Sequence, residues 1–203
     1  KLRLSAPEQL VDLGAIKELA GIRKDGNQLV IGAMTRHADV ASNAEVEAAF
    51  PALAFLAGHI GDRQVRAMGT IGGSLANNDP AACYPCAVLA TGATVVTSQR
   101  EIAADDFFQG LFATALKDGE LITAVRFPIP KRAVYEKQLQ KASQFPLVGV
   151  FLAQLDGGVR VAITGAGNGV FRHQGLEDAL NKSFTPEAAA ARLRIALMAC
   201  PPG

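Results

Sequence analysis

Gly69-Thr70-Ile71-Gly72-Gly73-Ser74-Leu75-Ala76-Asn77-Asn78-Asp79-Pro80 is a run of small residues with a hydroxyl on either side of Ile-Gly-Gly. Adjacent glycines let a ligand approach the backbone and can take φ > 0. Successive N–H groups in such a loop can converge into an anion-binding nest, and Thr70 and Ser74 add hydroxyl donors. That combination would hold a pyrophosphate without a cluster of Arg and Lys. Taken alone, the same composition fits an ordinary tight loop better. It is neither a P-loop, since no Gly-Lys-Ser/Thr follows, nor a Gly-x-Gly-x-x-Gly fingerprint.

The 203 residues are 49% hydrophobic and 19% charged, with a net charge of +1. That composition supports a packed core and argues against global disorder. The near-zero charge gives no support for nucleic acid or a membrane surface as the main partner. No apolar run reaches the roughly 18–20 residues that a membrane span needs. The stretch Lys1–Glu8 carries no apolar run of signal-peptide type. Three cysteines, an odd number, do not make a secreted disulfide framework, so a reducing cytoplasm is the expected location.

Around the glycine run the pattern alternates strands and helices. Asp25-Gly26-Asn27 between Gly21–Lys24 and Gln28–Gly32 predicts a hairpin. Thr35 reads as the N-cap of a short helix, Arg36–Ser42. Residues 43–59 read as helical, divided by Pro51, with Leu53, Leu56 and Ile60 as an apolar stripe. Pro80 would begin a helix from Ala81 to Ala90 that ends near Gly92. Ala93–Thr97 and Leu121–Phe127 read as strands. Phe127-Pro128-Ile129-Pro130 breaks the chain near residue 130. Beyond it, Leu147–Leu155 and Val159–Thr164 form a hairpin across Asp156-Gly157-Gly158. Two helices follow, Gly175–Asn181 and one begun by Thr185-Pro186-Glu187. The expected class is α+β, with a domain of mixed or antiparallel sheet and flanking helices over 1–130 and a small antiparallel-sheet domain over 131–203.

The ordered set Ile60-Gly61-Asp62-Arg63 … Gly69–Ser74, Asp79-Pro80-Ala81-Ala82, Asp105-Asp106-Phe107-Phe108 and Gly119-Glu120-Leu121-Ile122 resembles the flavin subunits of the molybdenum hydroxylases. These are the medium, FAD-carrying subunits of carbon monoxide dehydrogenase-like enzymes and the FAD domain of xanthine dehydrogenase. The likeness extends over Lys1–Gly14, Leu29–Val40 and Lys141–Gly149, and so over nearly all of residues 1–190. It implies that Thr70, Gly72, Gly73 and Ser74 contact the FAD diphosphate, with Asn77 and Asp79 as further polar positions. It also implies that Ile60 and Ile122 pack near the cofactor; by residue type alone both read equally well as ordinary core. The implied role is an electron-transfer subunit that passes electrons from iron–sulfur clusters through FAD to an external acceptor. Its partners would be a large molybdopterin-binding subunit and a small 2Fe-2S subunit. The alternative is a structural or assembly subunit of the same fold that binds no flavin. A flavin oxidase acting directly on substrate would need a base beside the ring, and none stands out.

Three departures from the family pattern bear on the cofactor. The family's other FAD loop, of Gly-Gly-x-Ser type, falls just before Lys1, so a truncated chain that retains FAD poorly is one expectation. Cys83 stands where the family often has a carboxylate that bonds a ribose hydroxyl, and a thiol is a weaker acceptor. The stretch Ala190–Gly203 does not resemble the family's C-terminal helix. Cys83-Tyr84-Pro85-Cys86 has Cys-x-x-Cys spacing but no second pair to complete a zinc site, and it reads as a buried thiol pair on a helix. His37, His59 and His173 are isolated and read as surface or satisfied core residues, and Lys137 and Lys141 as solvated. No catalytic residue and no metal ligand is expected.

Overall fold

A computed structural model describes residues 8–198 of the chain, and the side chains of 8–192. Residues 1–7 and 199–203 lie outside it. With them go the opening segment, Cys200 and the end of the unusual C-terminal stretch.

Asp25 pairs with Gln28 across Gly26 and Asn27, closing the expected hairpin of β1 (Ile22–Asp25) and β2 (Gln28–Gly32). Gly26 takes φ +57°, as a tight two-residue turn requires. Three short helices follow: α1 (His37–Ser42), α2 (Ala44–Ala49) and α3 (Pro51–Gly58). Pro51 opens α3, and Leu53, Leu56 and Ile60 are buried as predicted. Thr35 does not cap α1. Its hydroxyl is exchanged with the backbone of Gly21, and the first amide of α1, that of His37, donates instead to Gly69 O. A tertiary carbonyl thus replaces the side-chain cap.

Asp62 caps α4 (Arg63–Met68) through a 2.8 Å bond from Val65 N. The glycine run is a helix, α5 (Ile71–Asn77), with Thr70 as its N-cap and Asn78 in the left-handed region at its C-cap. α6 (Tyr84–Thr91) starts later than Pro80. Asp79 closes a turn on Ala81 N, and Pro80 O and Ala82 O face the second sheet, 2.7 and 2.8 Å from the Thr164 hydroxyl, with Pro80 O also accepting from Gly165 N, so this segment is tied to the end of β8 instead of joining the helix. Pro85 takes the first turn and Gly92, at φ +61°, ends it.

β3 (Thr94–Thr97), β4 (Glu101–Ala103), the single turn α7 (Ala104–Phe107) and β5 (Ile122–Pro128) complete the first sheet, ordered β1-β2-β5-β3-β4. β6 (Arg132–Leu139), β7 (Pro146–Leu155), β8 (Gly158–Thr164) and β9 (Phe171–Arg172) form the second in sequence order. Every pairing is antiparallel. α8 (Gln174–Lys182) and α9 (Pro186–Met198) close the chain, with Thr185 capping α9 through Ala188 N. The class is α+β, as expected. None of the described helices is long and apolar enough to cross a membrane.

One core runs across both sheets. All eight residues of α6 are buried, and the helix packs on β7 and β8 as well as on β5, as suits a helix apolar on every side. Phe50, between α2 and α3, sets its ring edge-on to Phe127 of the first sheet and Phe151 of the second, at 6.1 and 5.9 Å. Phe50→Ala is therefore expected to cost about 3–5 kcal/mol and to lower the urea midpoint of the whole chain in one transition. A parent-like midpoint would contradict this shared core.

Candidate functional site

Gly72 is the contact that fixes α5. Its N–H donates to Ala33 O at 2.8 Å, and a Cβ there would lie 2.6 Å from Ala33 Cβ. The helix therefore lies directly against Ala33, the residue that follows β2. Neither Gly72 nor Gly73 has positive φ; in this run that conformation belongs to Asn78, at φ 42°. The expected nest of alternating backbone is thus replaced by the first turn of a helix. Its amides are largely engaged: Ile71 N on Thr35 O, Gly72 N on Ala33 O and Ser74 N on Thr70 O. Gly73 N donates only to its own cap, the Thr70 hydroxyl, at 3.2 Å. It is exposed, and is the amide best placed to be shared with a ligand oxygen.

This turn lines a cleft of about 370 Å³, within the range of small-molecule pockets. The structure brings Ile60, Thr70, Gly73, Ser74, Asn77 and Asp79 to that cleft. It separates the other two expected residues from it. Gly72 and Ile122 line a smaller hollow of about 180 Å³ on the opposite side of α5, against Leu116 and Leu121. Thr70 and Gly73 border both spaces, so the N-terminal turn of α5 is the ridge between them.

The cleft's remaining wall comes from Phe145 and Pro146 at the β6–β7 turn, with Met68 and Val65 of α4. Lys137, expected to be solvated, ties these walls together. Its Nζ donates to His59 O and to Gln144 O, the latter at 2.9 Å, and lies 3.8 Å from Cys83 Sγ. Gln144 sits at φ +63°, so the turn it holds is a defined one. Lys137 escaped sequence reasoning because its partners are carbonyls 78 and 7 residues away, which leave no side-chain signature.

His37 is also more than a surface or satisfied core residue. It is 4% exposed, borders the cleft, and its Nδ1 is buried without a partner. A Cβ on residue 69 would stand only 2.5 Å from His37 Nε2, so a side chain there would force the buried ring to shift. The ring leans on Tyr84 with centroids 5.2 Å apart. Burial lowers its pKa from 6.5 to about 4, so the cleft wall carries a neutral imidazole. In the second hollow Glu120 accepts from Arg100, Thr97 and Lys117 N, which together lower its pKa to about 2.

The family model for the "FAD binding domain in molybdopterin dehydrogenase" matches residues 1–130. The chain belongs to that family. Over its whole length it is 35% identical to the carbon monoxide dehydrogenase medium chain of Hydrogenophaga pseudoflava, covering 75% of that relative. It is 38% identical to the glyceraldehyde dehydrogenase medium chain of Sulfolobus acidocaldarius, over 75% of this chain and 57% of the relative. The solved carbon monoxide dehydrogenase from H. pseudoflava superposes with a TM-score of 0.88 at 36% identity, over the whole of this chain and 75% of that one. The chain is an FAD-binding, medium-subunit component of this oxidoreductase family.

The residues present fit that cofactor: a glycine whose Cβ position is open except for Thr70 Oγ1 at 3.0 Å, two hydroxyls, and an orphaned buried imidazole nitrogen. The unfolded chain protonates His37 near pH 6.5, whereas the folded protein does so only near 4. Stability should therefore fall as pH drops from 6.5 towards 4, and His37→Gln should flatten that limb in pH-resolved denaturation. Glu120 is shifted in the same direction, its carboxyl lowered from 4.5 to about 2 by its hydrogen bonds. Its contribution is present above about pH 4.5 and lost as pH falls towards 2, so Glu120→Gln should remove a loss confined to that lower window.

Proposed function

We propose that the chain holds FAD across the ridge of α5 and serves as the electron-transfer subunit of a molybdenum hydroxylase-type dehydrogenase. In that role electrons arrive from the iron–sulfur clusters of a small subunit and leave to an external acceptor. Substrate is oxidised on a large molybdopterin-binding subunit. The reading places the protein in the cytoplasm and assigns residues 1–130 to the FAD-binding domain and 131–203 to a C-terminal domain.

The observation that carries it is the convergence of Thr70, Gly73, Ser74, Asn77, Asp79 and Ile60 on one cleft in a chain of this family. Bound FAD would supply two-electron and one-electron chemistry of its own. The chain's residues then have binding and orienting work. The Gly73 amide and the Thr70 and Ser74 hydroxyls are donors for the diphosphate. Asn77 and Asp79 extend the polar edge of the same cleft. Ile60, Met68 and Phe145 present apolar surface beside it. Gly72 and Ile122 act from the second hollow, where Ile122 offers an apolar wall to a nucleotide crossing the ridge. Lys137 keeps the two sides of the cleft at a fixed spacing.

The amount of flavin retained tests this reading. Purified with its partner subunits, the protein should show the visible absorption of oxidised flavin at about one flavin per chain. Gly73→Val should abolish that retention while leaving the far-UV circular dichroism and melting temperature near the parent's, because residue 73 is exposed and the added methyls fill the ligand's approach. Unchanged flavin content in the variant would remove Gly73 from the site.

A further inference from the structure

Cys83-Tyr84-Pro85-Cys86 has no part in the donor set for the diphosphate, yet its placement is specific. Cys83 is the N-cap of α6, with helical φ −79° and ψ −41°, and borders the cleft. Cys86 lies one turn on and is 0% exposed. Three residues of helix put their Cα atoms about 5 Å apart, inside the range that a disulfide bridges. The Cys86 thiol already folds back, donating to Cys83 O at 2.9 Å.

We propose that Cys83 and Cys86 are a redox-active dithiol at the floor of the cleft, able to exchange with low-molecular-weight disulfides. The surroundings of the two thiols differ in the way such a pair requires. Cys83 has the Lys137 ammonium 3.8 Å away and stands at a helix N-terminus, both of which favour a thiolate. The Tyr135 hydroxyl, on a side chain 1% exposed, also bears on the Cys83 sulfur. Burial pushes both thiols up, and these groups act against that push at Cys83, not at Cys86. Cys83 is therefore the attacking sulfur and Cys86 the resolving one. Two thiols serving only to fill space would need neither a cation nor a border on a cleft.

The exchange balances as follows. The Cys83 thiolate attacks one sulfur of a disulfide RSSR, forming Cys83–S–SR and releasing RS⁻. Cys86, giving up its proton, attacks the Cys83 sulfur, forms the Cys83–Cys86 bond and releases the second RS⁻. Two protein thiols are oxidised and RSSR is reduced to two RSH, the thiol protons ending on the released thiolates. Closing the bond repositions Cys83 Sγ, on a residue that borders the cleft, so the cleft registers the change. That coupling to the cofactor rests on the flavin reading; the dithiol chemistry does not.

The full chain carrying Cys200→Ser is incubated in a glutathione/glutathione disulfide buffer, with and without saturating FAD. It is then alkylated and digested, and the peptide holding both cysteines is weighed. In the FAD-free chain that peptide should lose the mass of two hydrogens and resist alkylation. Cys86→Ser should trap glutathione on Cys83, and Cys83→Ser should form neither product. With FAD bound, oxidation should slow about tenfold or more because access governs exchange. A peptide that stays fully alkylatable, or glutathione trapped on Cys86 in the Cys83→Ser variant, overturns the dithiol. Equal rates with and without bound FAD overturn its coupling to the cleft. A chain that forms the disulfide but takes up no FAD contradicts the flavin reading and leaves the dithiol standing.

Discussion

The burial of α6 on every side is the constraint on which the rest depends. A helix with no solvent face must be enclosed, and the enclosing surfaces are the first sheet through β5 and the second through β7 and β8. The two sheets share no strand. They are joined by this helix and by the Phe50 ring set between Phe127 and Phe151. Apolar contact of this kind is non-directional, so the polar ties around it set the register. Thr164, at the end of β8, holds the backbone just before α6 through Pro80 and Ala82. At its other end, the Arg160 guanidinium reaches Leu89 O and Asp105.

The cleft follows from that arrangement. Its floor is the N-terminal end of α6 and its near wall is α5, which lies where Gly72 meets Ala33. Its far wall belongs to the second sheet's β6–β7 turn and is held by Lys137. A polar ridge between two hollows, with amides mostly committed to the protein and one left to share, suits a long ligand with a charged middle and apolar ends. His37 Nδ1, on a ring that borders the cleft, is buried without a partner, which is unusual in a settled core.

Much of this was legible in the chain. Turn chemistry located the hairpins: Asp25-Gly26-Asn27 for β1–β2 and Asp156-Gly157-Gly158 for β7–β8. Pro51 marked the start of α3 because a proline loses nothing at a first helical turn. The glycine run reads as a loop because Gly costs about 1 kcal/mol relative to Ala within a helix. Here packing overrides propensity: Gly72 is valuable for the Cβ it lacks, and Thr70 supplies the cap. β6 was hidden by its exposure. Of its eight residues, Tyr135 alone is fully buried, and Lys137 interrupts the inward face that Ala133, Tyr135 and Leu139 share, so the alternation is weak in the sequence.

Sequence alone determined the class of fold, the family and the residue types of the cleft, because turn signals and an ordered set of motifs survive without knowledge of long-range contact. Tertiary structure decided how those residues are divided. Ile60 and Asp79 face one side of α5, while Gly72 and Ile122 face the other. It also decided that Lys137 is a strut, that His37 is buried and neutral, and that Cys83 borders the cleft while Cys86 does not. Each of these depends on groups tens of residues apart in the chain, and their distances exist only once the core around α6 has closed.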